Sequence, residues 1–248
     1  MTAVPIPAAT LILFREAAAG PPEILMVERA AAMAFAPGAM VFPGGRIDPG
    51  DHALADAQGQ SDDAPARIAA IRETIEEAGV AIGLSPSPDA TAIGRLRAAL
   101  HAGRPFAAAL AAAGMTLDLS TLTPFARWRP NHRTTRLFDT LFFLARAPLS
   151  AQAQVDGTEN RRLTWTTAAA MLAAADAGRA TIIYPTRRTL ERLARFTTYE
   201  QAVADAAAHP IRAITPFIAS RDGVAHLCIP DDLGFPVTGE PLDQASRG

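Results

Sequence analysis

The 248-residue sequence has no lysine and a single cysteine, Cys228. One cysteine excludes an internal disulfide and a cysteine-based zinc site. The missing lysine excludes a P-loop lysine, a Schiff base and a lysine general base together. All 23 basic residues are therefore arginine, and any side-chain grip on phosphate must use guanidinium forks, which suit bidentate contacts. No apolar run reaches the roughly 18–20 residues that a bilayer span requires. Residues 1–7 lack the basic segment of a signal peptide, and Ser246-Arg247-Gly248 carries no recognised targeting motif. A cytoplasmic location and no membrane partner are the expectations. A net charge of −2 gives no support to a nucleic-acid-binding surface. His52, His101, His209 and His226 are scattered, with no HExxH-type pairing. The remaining composition, 49% apolar and 19% charged, is that of an ordinary globular chain able to bury a full core.

Two short apolar runs, residues 8–15 and 24–29, flank Gly20-Pro21-Pro22 and predict a strand pair. A third strand should approach Phe42 and stop at Pro43-Gly44-Gly45. Residues 46–63, with Pro49, Gly50 and several Asp, read as a loop that should be mobile. Asp62 or Asp63 then caps a helix with Pro65 in its first turn, running to a stop at Gly79. Residues 84–121 look like an insertion holding two helices, 93–101 and 105–113. Strands are expected at 122–129, 137–146 and 161–165, and helices at 167–177 and 186–208, the last broken near Thr197-Thr198. A closing hairpin, 211–219 with 223–229, ends a C-terminal extension over about 185–248. The mixture lacks βαβ regularity, which predicts a single α+β domain built as an α/β/α sandwich rather than a Rossmann sheet.

The helix before Gly79 carries the chemistry. At about 100° per residue, Glu73, Glu76 and Glu77 share one face, while Ile68, Ile71, Ile75 and Ala78 take the opposite one. Arg72, four residues before Glu76, is placed to orient that carboxylate. Three clustered carboxylates resist ionising together. A hard divalent cation removes the repulsion and binds oxygen ligands together with substrate phosphates. Upstream, two glycines after a strand let backbone approach a ligand closely.

The order strand, Gly44-Gly45, loop, Arg72-Glu73-x-x-Glu76-Glu77-x-Gly79 resembles the Nudix box. The five fixed helix positions would match by chance with a probability on the order of 10⁻⁴. The usual box runs Gly, five residues, Glu, seven residues, Arg-Glu. Here the acidic position is Asp51, and the 20 residues 52–71 follow it, so thirteen are inserted and Asp51 is open to a bland reading as a turn residue. Within the superfamily the long insertion is similar to the peroxisomal coenzyme A diphosphatases and their bacterial relatives. So are Phe125-Ala126-Arg127-Trp128-Arg129-Pro130, Arg136 through Phe143, and Tyr184-Pro185-Thr186.

The resemblance implies metal-dependent hydrolysis of a diphosphate in a nucleoside diphosphate derivative. Coenzyme A or an acyl-CoA leads, with ADP-ribose, NADH or a dinucleoside polyphosphate as the alternative and a non-catalytic nucleotide sensor as another. It also implies Mg²⁺ or Mn²⁺ held by residues matching Glu73, Glu76 and Glu77 and by the carbonyl of Gly44. Glu159 is a candidate further carboxylate, set against an ordinary turn glutamate. Arg127, Arg129 and Arg136, near Arg133 and His132, are candidates for a phosphate clamp beside Gly45, set against solvated hairpin charge. Trp128 could stack an adenine or fill the core, and a second copy of the chain is a candidate partner.

Overall fold

The computed structural model describes residues 4–33, 36–58, 61–129, 137–148, 151–155 and 160–245. The first strand pair forms as expected: β1 (Ile6–Arg15) runs antiparallel to β2 (Glu23–Arg29). The third expected strand is split in two. β3 (Met40–Val41) pairs β2, and after Pro43 the chain crosses so that β4 (Gly44–Arg46) pairs β1 at Ala8–Thr10. Helices α1 (Pro49–Ala57) and α2 (Ala64–Ala78) follow. The helical insertion comprises β5 (Leu84–Ser85), α3 (Ala90–His101), α4 (Phe106–Ala113) and β6 (Thr116–Leu117). Then come β7 (Thr123–Trp128), β8 (Phe138–Arg146), β9 (Asn160–Thr166), α5 (Ala168–Asp176), α6 (Tyr184–Leu193) and α7 (Tyr199–Ala208). The extension closes with β10 (Ala213–Ile214), β11 (Phe217–Arg221), β12 (Val224–Cys228) and β13 (Gly239–Pro241).

The central sheet is mixed, in the order β10-β7-β8-β1-β2-β3, with β4 on β1 and β9 on β2. β8 lies parallel to β1 along its whole length, and β10 is parallel to β7. Successive side chains on a strand face opposite sides, and β1 uses both. Ala9, Leu11 and Leu13 pack with Ile68, Ile71 and Ile75 of α2 and with the insertion helices. Ile12 and Phe14 pack with α5, α6 and α7. The result is the α/β/α sandwich expected. Each of the three α2 isoleucines is wholly buried, contributing roughly 1.5–3 kcal/mol apiece. Trp128 is core: it is 1% exposed and edge-on to Tyr184 and Phe235. Among the described residues no helix is long and apolar enough to cross a membrane.

The reading of residues 46–63 as a mobile loop is corrected. Asp48 and Asp51 form a capping box, Pro49 fills the first turn, and the short helix α1 packs on α2 with Asp51 and Ala55 buried. Glycine and proline, usually turn signals, here occupy a helix N-terminus, where their missing donor and compact backbone cost nothing. The expected strand 211–219 is also corrected. Thr215-Pro216 interrupts it, and its two halves join different sheets, as a residue without a backbone donor requires.

Candidate active site

Helix α2 begins after Asp63 and ends on Gly79, whose φ of 64° is left-handed. Its three glutamates differ sharply in setting. Glu77 is 4% exposed, and the Gly44 N–H donates to its Oε2 at 3.0 Å. Burial pushes the Glu77 carboxyl up to about 8, and Glu73 adds to the rise; the Asn160 side chain, Gly44 N–H and Arg29 oppose it. Burial likewise raises Glu76, against the pull of Arg72 and His101. Glu73 lies directly against the second glycine: a Cβ on Gly45 would sit 2.3–2.6 Å from its carboxylate atoms. A Cβ on Gly44 would meet Ala9 O at 2.4 Å and Thr10 at 2.7 Å. The pair is thus glycine because strand β1 fills one side and Glu73 the other.

Arg72 organises the cluster from below. Its Nε and Nη2 donate to both oxygens of Asp51 at 3.1 and 2.9 Å, and Nη2 also donates to Arg46 O at 3.0 Å. Nη1 reaches Glu73 at 2.8 Å and Glu76 at 3.4 Å. Burial alone would lower the Arg72 pKa, but Asp51, Glu73 and Glu76 more than offset it and hold the guanidinium charged. Asp51 is therefore not a turn residue. Although 21 positions separate it from Arg72, the α1–α2 packing brings it to the arginine as its buried partner.

Of the candidates, the structure brings together Glu73, Glu76, Glu77, Gly44, Gly45, Arg72 and Gly79. Arg127 is engaged elsewhere, donating from Nε and Nη2 to Asp139 at 2.7 and 2.8 Å. Its β7 position aligns with Leu141, Ala9 and Gly45 across one row of the sheet, three strand spacings or roughly 14 Å from Gly45. Arg129 follows β7 and is exposed. Arg133, Arg136, His132 and Glu159 lie outside the described residues. Asn160 and Arg29, both acting on Glu77, were missed by sequence reasoning. They meet because β9 pairs β2 across a bulge, Arg29 opposite Asn160, a long-range register that no local pattern announces.

The donor set suits a hard divalent ion. A carboxyl raised by burial and by a second carboxylate resists ionising, and a cation would offset that penalty. Among the described residues no three His, Cys, Asp or Glu side chains close into a ready metal cage. Mg²⁺ does not require one, since one or two carboxylates complemented by water and substrate phosphate suffice. Glycine at 45 gives a direct test of this geometry. Gly45→Ala should displace Glu73 and lower turnover roughly 10²-fold, the cost of an ångström-scale misplacement. Gly50→Ala, where a Cβ would meet nothing within 4 Å, should retain full activity. Equal activity in both variants would show that Glu73 need not sit against Gly45.

The fold agrees with that of a solved relative. No family model and no curated protein matches the chain. The NUDIX hydrolase from Alicyclobacillus acidocaldarius is 30% identical with a TM-score of 0.73, over 82% of this chain and 97% of that one. An Ap4A hydrolase from C. elegans is 17% identical with a TM-score of 0.42, over 75% and 92% of the two chains. The MutT NUDIX hydrolase from Burkholderia pseudomallei is 16% identical with a TM-score of 0.42, over 76% and 98%. Likeness at the latter two levels bears on neither substrate nor mechanism. The chain belongs to the Nudix hydrolases and is a Nudix diphosphohydrolase. Such enzymes generally need a divalent metal ion such as Mg²⁺ or Mn²⁺.

Proposed function

We propose that the chain hydrolyses the diphosphate of coenzyme A or an acyl-CoA, with Mg²⁺ or Mn²⁺ held by Glu73, Glu76 and Glu77 and the Gly44 carbonyl. The observation carrying the metal site is the buried Glu77 carboxyl, raised to about 8 next to Glu73 at the Gly44–Gly45 backbone. When bound, a divalent ion supplies neutralisation of phosphate charge and lowers the pKa of water. The chain's own residues do the rest. Arg72 holds Glu73 and Glu76 in place, Gly44 and Gly45 let strand β1 and the Glu73 carboxylate pack against the backbone, and Asn160 and Arg29 favour the charged form of Glu77. Glu159, just before Asn160, is a further candidate for accepting a proton.

The coenzyme A substrate is supported by the segments that resemble the coenzyme A diphosphatases, including Arg127, Arg129 and Arg136. A phosphate lying at Gly45 is three strand spacings from the Arg127 position, so an arginine at that end of the row would meet a second group on the same substrate. The Arg127 fork is directed at Asp139, which leaves Arg129 and Arg136 as the stronger candidates for a 3′-phosphate. The test is a product-mass screen with Mg²⁺ and Mn²⁺ over coenzyme A, acetyl-CoA, 3′-dephospho-coenzyme A, ADP-ribose, NADH and a dinucleoside polyphosphate. Coenzyme A or a short acyl-CoA should give the highest specificity constant. ADP-ribose turning over fastest would reject this substrate, and tight nucleotide binding without any turnover would favour a sensor.

A further inference from the structure

An α-helix leaves its last four carbonyls without partners inside the helix. In α2 these are Ile75, Glu76, Glu77 and Ala78, and each is met. Ile75 O accepts from Gly79 N–H at 3.0 Å, and Ala78 O accepts from Gln154 N–H at 2.8 Å. The two between them belong to the glutamates, and both are held by one side chain from the insertion. Arg97, on α3, donates from Nε to Glu76 O at 2.9 Å and from Nη2 to Glu77 O at 3.0 Å. His101 Nε2, one turn on, stands 3.1 Å from Glu76 O. Gly79 makes room for this contact, since a Cβ there would lie 3.3 Å from Arg97 Nη1.

We infer that Arg97 is a positioning residue, fixing the last turn of α2 and with it the directions of the Glu76 and Glu77 side chains. The inference rests on the reading of α2 as the hydrolytic helix. Its physical basis is twofold. A rotation of either peptide unit would swing the attached carboxylate, and a two-pronged guanidinium grip on both carbonyls opposes that rotation. The C-terminal end of a helix also carries about −0.5 of an elementary charge, of the same sign as the carboxylates. A guanidinium at that end offsets it without occupying the carboxylates themselves. On this account the insertion at 84–121 completes the site by supplying a cap that the helix cannot make for itself.

The test uses the full chain and four readouts: Mn²⁺ affinity by electron paramagnetic resonance, kcat and KM on the best nucleoside diphosphate substrate, melting temperature, and amide hydrogen exchange at residues 76–82. Arg97→Ala should weaken Mn²⁺ binding and lower kcat, each on the order of 10-fold, with a smaller change in KM and faster exchange in the last turn. Arg97→Lys, with a point charge in place of the fork, should recover part of each loss, and it also covers the case in which the alanine variant folds poorly. Arg95→Ala, which removes an exposed guanidinium from the same helix, should behave as wild type. A lowered melting temperature with wild-type Mn²⁺ affinity and kcat would overturn the inference, reducing Arg97 to a tether for the insertion. If the wild-type chain neither binds Mn²⁺ nor cleaves any diphosphate, the functional reading fails instead. In that case unchanged exchange in Arg97→Ala would overturn the positioning role separately.

Discussion

Replacing Glu77 by Gln should lower turnover by on the order of 10²-fold or more, the scale for removing a preorganised electrostatic group, while leaving the fold intact. The two halves of this expectation have one cause. Glu77 is almost wholly buried, and burial together with Glu73 raises its carboxyl to about 8. The metal-free fold therefore already tolerates a neutral group here. Gln keeps the length of the side chain and an oxygen to accept from Gly44 N–H at the present 3.0 Å. What it cannot supply is the negative charge that a divalent ion draws on. The measurements are kcat, Mn²⁺ affinity and melting temperature side by side. Turnover within threefold of wild type, or wild-type activity persisting in excess EDTA, would refute the metal-dependent reading of this carboxylate.

The contrast between α2 and its surroundings shows what a sequence discloses. The 3.6-residue period separating Ile68, Ile71 and Ile75 from Glu73, Glu76 and Glu77 is local, and so is the Gly79 stop; both were legible and both stand in the structure. Strands β1, β2, β7 and β8 were legible for the same reason, as apolar runs between breakers. The helix α1 was not, because its Pro49-Gly50 pair signals a turn unless the Asp48–Asp51 capping box is weighed against it. Contacts that join distant segments were out of reach altogether. Asn160 and Arg29 come to Glu77 through the pairing of β9 with β2, and Arg97 comes to α2 through the packing of α3. Neither register leaves a mark on a single segment. Arg127 makes another contact that its own segment does not announce. Weighed in the sequence as a phosphate ligand or as solvated hairpin charge, it lies opposite Leu141 in the antiparallel register of β7 and β8, and its fork meets Asp139 two residues earlier on β8.

The Asp51–Arg72 pair should separate stability from catalysis. Asp51 is 2% exposed, and Arg72 7%. Arg72→Ala would leave Asp51 buried with only the Asp48 N–H, at 2.9 Å, among its described polar contacts. Removing one partner of a buried pair costs about 3–5 kcal/mol, a fall in melting temperature of roughly 10 °C for a chain this size. Turnover should fall as well, because Glu73 and Glu76 lose the cation that holds them. The double variant Asp51→Leu, Arg72→Met then divides the two effects. An apolar pair of similar volume often replaces a buried ion pair without loss, so the melting temperature should return most of the way to wild type. Activity should not return, since methionine offers the glutamates no donor. A thermodynamic cycle through Asp51→Leu gives the coupling between the two residues. Recovery of both stability and turnover in the double variant would show that Arg72 serves the fold alone. An unchanged melting temperature in Arg72→Ala would show that the pair carries little of the fold's stability.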